Sequence, residues 1–177
     1  MFRDLKDRGL AGVRLVVSDA HRGIRAAMGR HFQGTAWQRC QVHFKRELAR
    51  KVSYKLAGDL MKQVRAVFAG ASAAECLARG EELAKVWERK APAVARLLRE
   101  GLGDCLSVMS FPEDHQVKLT STNMIETLMK RLKKRTRVVG VFPNRASCER
   151  LIGAQLIEVH EQWATDTTRC FNMELLT

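Results

Sequence analysis

A helix-dominated α/β fold is what this sequence predicts, on three observations. Residues 13–17, Val-Arg-Leu-Val-Val, form a short β-branched run that stops at Ser18-Asp19, as a strand does. Thr35-Ala-Trp-Gln-Arg-Cys40 reads as a second short strand with helical spacing between the two, which makes a β-α-β unit of a parallel sheet. From residue 44 to about 110 the chain is rich in Ala, Leu, Lys, Arg and Glu at helical periodicity, which marks an all-helical segment.

Each element has a local reason. Ile24, Ala27, Met28 and Phe32 recur toward a core, and Gly34 breaks their helix. Asp19 falls at the C-terminal end of the first strand, where open α/β sheets bind ligands. The alternative is that it caps the helix that follows. Val42 opens the helical segment, which holds four or five helices and no strands. Ser72-Ala-Ala-Glu75 has the spacing of a capping box. Pro92 suits a first helical turn, and Gly101 and Gly103 punctuate the end. Trp87, at helical spacing from Leu83, belongs in a core. Phe111 to His115 is a break. A helix carrying Glu126 follows and stops near Arg135. Val138 to Phe142 is a short strand or an extended link, ended by Pro143-Asn144. The last helix runs from Arg145 to Trp163, with Ile152, Leu156, Val159 and Trp163 spaced as a core face, and Thr165 to Thr177 fray.

Composition narrows the function. Lys plus Arg is 31 against 19 Asp plus Glu, a formal charge of +12 with a pI near 10.0. Nucleic acid is the leading partner for such a charge, although a ribosomal or membrane-surface protein shares it. No apolar run is long enough to span a membrane, and the mixed-charge start is no signal peptide. Cys40, Cys76, Cys105, Cys148 and Cys170 are odd in number, irregularly spaced and without a CxxC. That fits reduced thiols in a cytoplasm.

The helix that begins near Thr122 carries one acid among cations. At 100° per residue, Ile125, Leu128, Met129 and Leu132 share an arc roughly 100° wide, and Glu126 lies about 110° from its centre. Lys130, Lys133 and Arg137 return within about 40° of Glu126. The helix is expected to bury an apolar stripe and to show a basic face with one acid on it, suited to metal and phosphate. Two structural readings stand beside this: Asn123-x-x-Glu126 also has capping-box spacing, and Glu126 with Lys130 is an ordinary i,i+4 pair.

Three motifs line up in order: Ser18-Asp19-Ala-His21, then Trp37-Gln-Arg-Cys40-Gln-Val-His43-Phe, then Thr122-Asn-Met-Ile-Glu126 followed by Val138-Val-Gly-Val-Phe-Pro-Asn144. Together they resemble the mutator-type transposases of bacterial insertion sequences, over nearly the whole chain. The resemblance implies a DDE active site on an RNase H-like core interrupted by a helical insertion. It divides the chain into 1–45, the later part of the sheet; 46–115, the insertion; and 116–177, the glutamate helix and the C-terminal helices. Asp19 falls on the family's second aspartate and Glu126 on its glutamate, both catalytic and metal-binding. Lys133 falls on a basic position seven residues beyond the glutamate. His21, Cys40 and His43 fall on family signature positions whose role the sequence leaves open.

The implied chemistry is cleavage and strand transfer at element ends during DNA transposition and recombination. It implies two Mg²⁺ or Mn²⁺ ions in the complete enzyme, without zinc. It also implies double-stranded DNA (terminal inverted repeats and target) as partner, a homo-oligomer, and a bacterial cytoplasmic, nucleoid-associated location. Lys130, Lys133, Lys134, Arg135 and Arg137 are the expected DNA contacts, with a merely solvated charged face as the alternative. The family's first aspartate and its N-terminal DNA-binding region have no counterpart here, so the sequence reads as a C-terminal part whose own activity is absent or vestigial. The rival reading is a non-catalytic basic remnant that binds transposon ends or intact transposase. With a two-stranded sheet, the chain is expected to be marginally stable or self-associating.

Overall fold

The computed structural model describes residues 1–165. Cys170 and the tail expected to fray beyond Thr165 lie outside the described residues. The chain forms two compact units, Met1–Thr122 and Asn123 onward.

In the first unit α1 (Phe2–Asp7) precedes β1 (Leu15–Ser18), α2 (Arg22–His31) and β2 (Ala36–Arg39). The strands pair in parallel, with Leu15 opposite Ala36 and Ser18 opposite Arg39. This is the β-α-β unit expected from the sequence. Hydrogen bonds continue past both strand ends, from Ala36 N–H to Arg14 O at 3.1 Å and from Cys40 N–H to Ser18 O at 2.7 Å. Gly34 turns the chain into β2 with φ of 80°, a conformation open to glycine. The sequence gave no sign of α1. It is held where the Phe2 ring meets Phe32 edge-on at 5.3 Å.

Four helices follow: α3 (Gln41–Ala49), α4 (Tyr54–Val67), α5 (Ala73–Glu88) and α6 (Pro92–Gly101). Their heptad-like spacings put Leu60, Val64 and Val67 on one face of α4 and Val94, Ala95 and Leu98 on one face of α6. These join Phe44, Leu48, Leu83 and Trp87 in the main core. Each fully buried side chain of this size contributes about 1.5–3 kcal/mol, so the helical segment rather than the sheet supplies most apolar burial. Trp87 is buried as expected, and its Nε1–H donates to Gln63 Oε1 at 2.9 Å. The Ser72 hydroxyl accepts the Glu75 N–H at 3.2 Å, while the Glu75 carboxylate accepts the Ala71 N–H at 2.8 Å, one residue earlier than the standard capping box. Pro92 occupies the first turn of α6.

Two 3-10 turns, Gly103–Cys105 and Ser107–Ser110, then lead to α7 (Glu113–Leu119). The sequence reading took the start of this stretch as a break. Pro112 does break the chain there, but it also precedes a helix with Glu113 and Asp114 in its first turn, where acids favour the helix dipole.

The second unit comprises α8 (Asn123–Val139) and α9 (Arg145–Thr165). Two expectations fail here. The first helix does not stop near Arg135, and 138–142 is not a strand. The β-branched pair Val138-Val139 continues the helix until Gly140 adopts a φ of 76° and returns its N–H to Thr136 O at 3.2 Å, a glycine terminus. Asn144 Oδ1 then accepts the Ser147 N–H at 2.9 Å and starts α9, so the stop at Pro143-Asn144 is where it was expected. The second failure concerns burial. On α8 Leu128 and Leu132 are half-buried, but Ile125 and Met129 are about half exposed. On α9 Val159 is buried, while Leu156 and Trp163 are exposed at 41% and 54%. Two helices cover only the strip between them, so the rest of each stripe faces outward. Among the described residues no helix is long and apolar enough to cross a membrane.

Candidate functional site

Asp19 follows the last residue of β1, and its side chain is exposed. Its Oδ1 accepts the His21 N–H at 3.3 Å. The helix cap is not Asp19 but His21, whose Nδ1 accepts the Gly23 N–H at 3.1 Å. A neutral His21 therefore carries its proton on Nε2.

The backbone behind Asp19 is fixed by a chain of contacts that the sequence did not reveal. The Ser18 hydroxyl donates to Asp19 O at 2.8 Å and accepts the Trp37 Nε1–H at 2.9 Å. The Arg25 guanidinium lies over the Trp37 ring, 4.7 Å from its centroid, and pairs with Asp104 at 3.2 Å. Trp37 sits in the block Trp37-Gln-Arg-Cys40, but only the parallel register of the strands brings it beside Ser18.

Cys40 is fully buried and precedes α3. Its sulfur accepts the Thr122 N–H and the Thr122 hydroxyl, each at 3.5 Å. Burial pushes this thiol up, but hydrogen bonds from Thr122 and from the backbone and side chain of His43 outweigh it, so the Cys40 pKa lies below its ordinary value. The Cys-x-x-His pair is thus a hydrogen-bonded cluster in which the imidazole lies one turn beyond the thiol.

Glu126 is half-buried in the first turn of α8. Lys130, Lys133, Lys134, Arg135 and Arg137 are all exposed. Among the described residues none of the five forms an ion pair, so the expected Glu126–Lys130 pair is not made. Arg131, which the sequence reading passed over, joins Lys134 and Arg135 in a cleft of about 400 Å³ between α8 and α9, opposite Glu158. In the helical segment cations are matched instead: Arg99 holds both Glu81 and Glu88.

Asp19 belongs to the first unit and Glu126 to the second. Both offer hard oxygen donors of the kind that Mg²⁺ takes alongside water and phosphate. Among the described residues no three His, Cys, Asp or Glu side chains come together as a metal-holding group.

A parallel β-α-β unit ending in an acid, a helical segment, and a cationic helix with an acid in its first turn suit a protein that acts on nucleic acid. The chain belongs to the family described as Transposase, Mutator family, whose sequence model matches residues 1–166. It is 37% identical over 170 residues to the transposase for insertion sequence element ISRM5 of Rhizobium meliloti, covering 96% of this chain and 42% of that protein. It is 36% identical over 176 residues to the transposase for insertion sequence element IS1081 of Mycobacterium tuberculosis, covering 99% and 42%. It is 31% identical over 175 residues to the transposase for insertion sequence element IS256 in transposon Tn4001 of Staphylococcus aureus, covering 98% and 45%. The chain thus spans less than half the length of the curated relatives it matches.

Proposed function

We propose that these residues form part of a DDE transposase that cleaves DNA at the ends of an insertion sequence and transfers the strands to a target. The observation that carries the reading is the exposed, unpaired basic face of α8 following Glu126, in a chain that belongs to a transposase family. On this reading β1, α2 and β2 belong to an RNase H-like core, and α3 to α6 are its insertion.

Asp19 and Glu126 each supply a carboxylate to a centre for Mg²⁺ or Mn²⁺. The metal, when bound, supplies the positive charge that in-line displacement at phosphorus needs on the attacking and leaving oxygens. The Ser18–Trp37 bond holds the backbone of Asp19 in place, so that its carboxylate is presented at the strand end with little reorganisation. Lys130, Lys133, Lys134, Arg135 and Arg137 neutralise phosphates and set the path of the duplex. Such contacts position DNA without reading its sequence. The partner is double-stranded DNA, and the complete enzyme works as a homo-oligomer in the cytoplasm at the nucleoid.

The third family carboxylate has no counterpart in these 177 residues. A polypeptide of these residues alone therefore binds metal weakly and does not cleave. The test is cleavage of element-end DNA with Mg²⁺ or Mn²⁺, using the 177 residues alone and the same residues within a full-length transposase. Cleavage is expected from the second only, and it should be lost in Asp19→Asn and Glu126→Gln. Strand cleavage by the 177 residues alone, or by either variant, overturns the assignment. Metal-independent DNA binding with no cleavage from either form is the outcome a DNA-binding remnant would give.

A further inference from the structure

Cys40 stands where three segments of the first unit meet. Its N–H donates to Ser18 O at 2.7 Å, the carbonyl immediately before Asp19. Its sulfur accepts both the N–H and the hydroxyl of Thr122 at 3.5 Å, and Thr122 is the residue before α8. The neighbouring Gln41 N–H donates to Thr120 O at 2.9 Å, a second tie to the same stretch. Glu126 follows Thr122 by four residues, in the first turn of α8. The sulfur has little room to move, because Cys40 is fully buried at the start of α3.

We propose that Cys40 is a positioning residue, which fixes the strand end bearing Asp19 and the chain entering the Glu126 helix from a single point. The proposal rests on the reading of Asp19 and Glu126 as metal ligands. Geometry makes cysteine suitable. Sulfur is a large, soft acceptor that meets two donors from one residue at a separation where a hydroxyl oxygen, preferring 2.5–3.0 Å, makes no bond. Alanine at this position leaves the Ser18 tie intact, because that tie uses the backbone. It releases the two Thr122 donors, and with them the start of α8. Oxygen ligands must be held in place for a hard divalent ion to prefer them to water, so looseness at the entry of α8 registers as weaker metal binding.

The experiment measures Mn²⁺ affinity by electron paramagnetic resonance for the chain and its variants, with amide hydrogen exchange of residues 120–126 followed in parallel. Cys40→Ala and Thr122→Val should each weaken Mn²⁺ binding about tenfold, the lower end of what outer-shell partners of a metal site cost, and should speed exchange at 120–126. Combining them should add no further loss, since both remove one interaction. Cys76→Ala supplies the control. This thiol is also fully buried but bonds only to Gly70 O, at 3.8 Å, so its loss should lower thermal stability and leave Mn²⁺ affinity unchanged. Wild-type affinity in Thr122→Val, or losses that multiply in the double variant, would overturn the proposal while Glu126→Gln still binds weakly. Undiminished Mn²⁺ binding in Glu126→Gln removes the metal-ligand reading itself and the inference with it. Thr122→Val keeps the native backbone and side-chain shape, so it decides the matter even where Cys40→Ala does not fold.

Discussion

Gln38 and Val108 are joined at the centre of the first unit: Gln38 Oε1 accepts the Val108 N–H at 2.9 Å, and both residues are buried. The Gln38 amide also donates to Cys105 O at 2.7 Å and to Arg39 O at 3.0 Å. One side chain therefore ties β2 to both 3-10 turns. Substituting one partner of such a network leaves the others buried without water, which costs more than the bonds contribute when made. Gln38→Leu should destabilise the chain by about 2–4 kcal/mol. In urea denaturation the midpoint should fall at an unchanged slope.

Two helical glycines should respond to alanine with opposite signs. Gly58 in α4 has nothing within 4 Å of an added Cβ, whereas at Gly80 in α5 that atom would lie 2.1 Å from Leu102 Cδ2. Alanine gains about 0.5–1 kcal/mol over glycine inside a helix. At Gly58 that gain stands alone, and thermal unfolding should shift upward. At Gly80 overpacking costs about 1–3 kcal/mol because Leu102 is itself buried in the core. There the melting temperature should fall.

The buried thiols make stability depend on alkaline pH. Burial pushes Cys105 up to about 12 from an ordinary 9.0, against the pull of the Arg39 charge. The unfolded chain gives up this proton first, so the contribution is full below pH 9.0 and is lost as pH rises toward 12, at up to about 1.4 kcal/mol per pH unit. Cys40 has the reverse sign. Its pKa is lowered, so its contribution is full above 9.0 and is lost as pH falls through the folded value. Comparing urea denaturation of the chain with Cys105→Ala isolates the first effect. The stability advantage of the native thiol should shrink by roughly 2 kcal/mol between pH 9 and pH 11.

Local chemistry made much of this fold legible. Val13 to Val17 announced β1, Ser72 and Glu75 announced the start of α5, and the spacing of Leu83 and Trp87 announced a core. Long-range contacts were not legible. The α1 helix has no periodicity of its own and depends on Phe2 meeting Phe32. The spacing of Leu156 and Trp163 identifies a helical face but carries no information on whether anything covers it. The same division runs through the candidate site. Asp19 and His21 stand at the strand end, as expected, yet which of them caps α2 depends on the backbone angles at 21. The tie between Cys40 and Thr122 joins residues 82 positions apart, which no local pattern encodes.

The basic face of α8 separates a working surface from a solvated one. Cations that serve only solubility or helix stability tend to be met by acids nearby, as Arg99 is by Glu81 and Glu88. Lys133 is exposed and, among the described residues, has no acidic partner. If it neutralises one phosphate, it contributes about 0.9 to the slope of log affinity against log salt for duplex DNA. Lys133→Glu should therefore flatten that slope by about 1 and weaken binding nearly equally for element ends and unrelated duplexes, as a phosphate contact does. Arg99→Gln should leave the slope where it was, since its charge is already answered within the protein. Fluorescence anisotropy across a salt series distinguishes the two. Equal slopes for wild type and Lys133→Glu would mean that this face meets water rather than DNA, and would remove the feature that most favours a nucleic-acid role for α8.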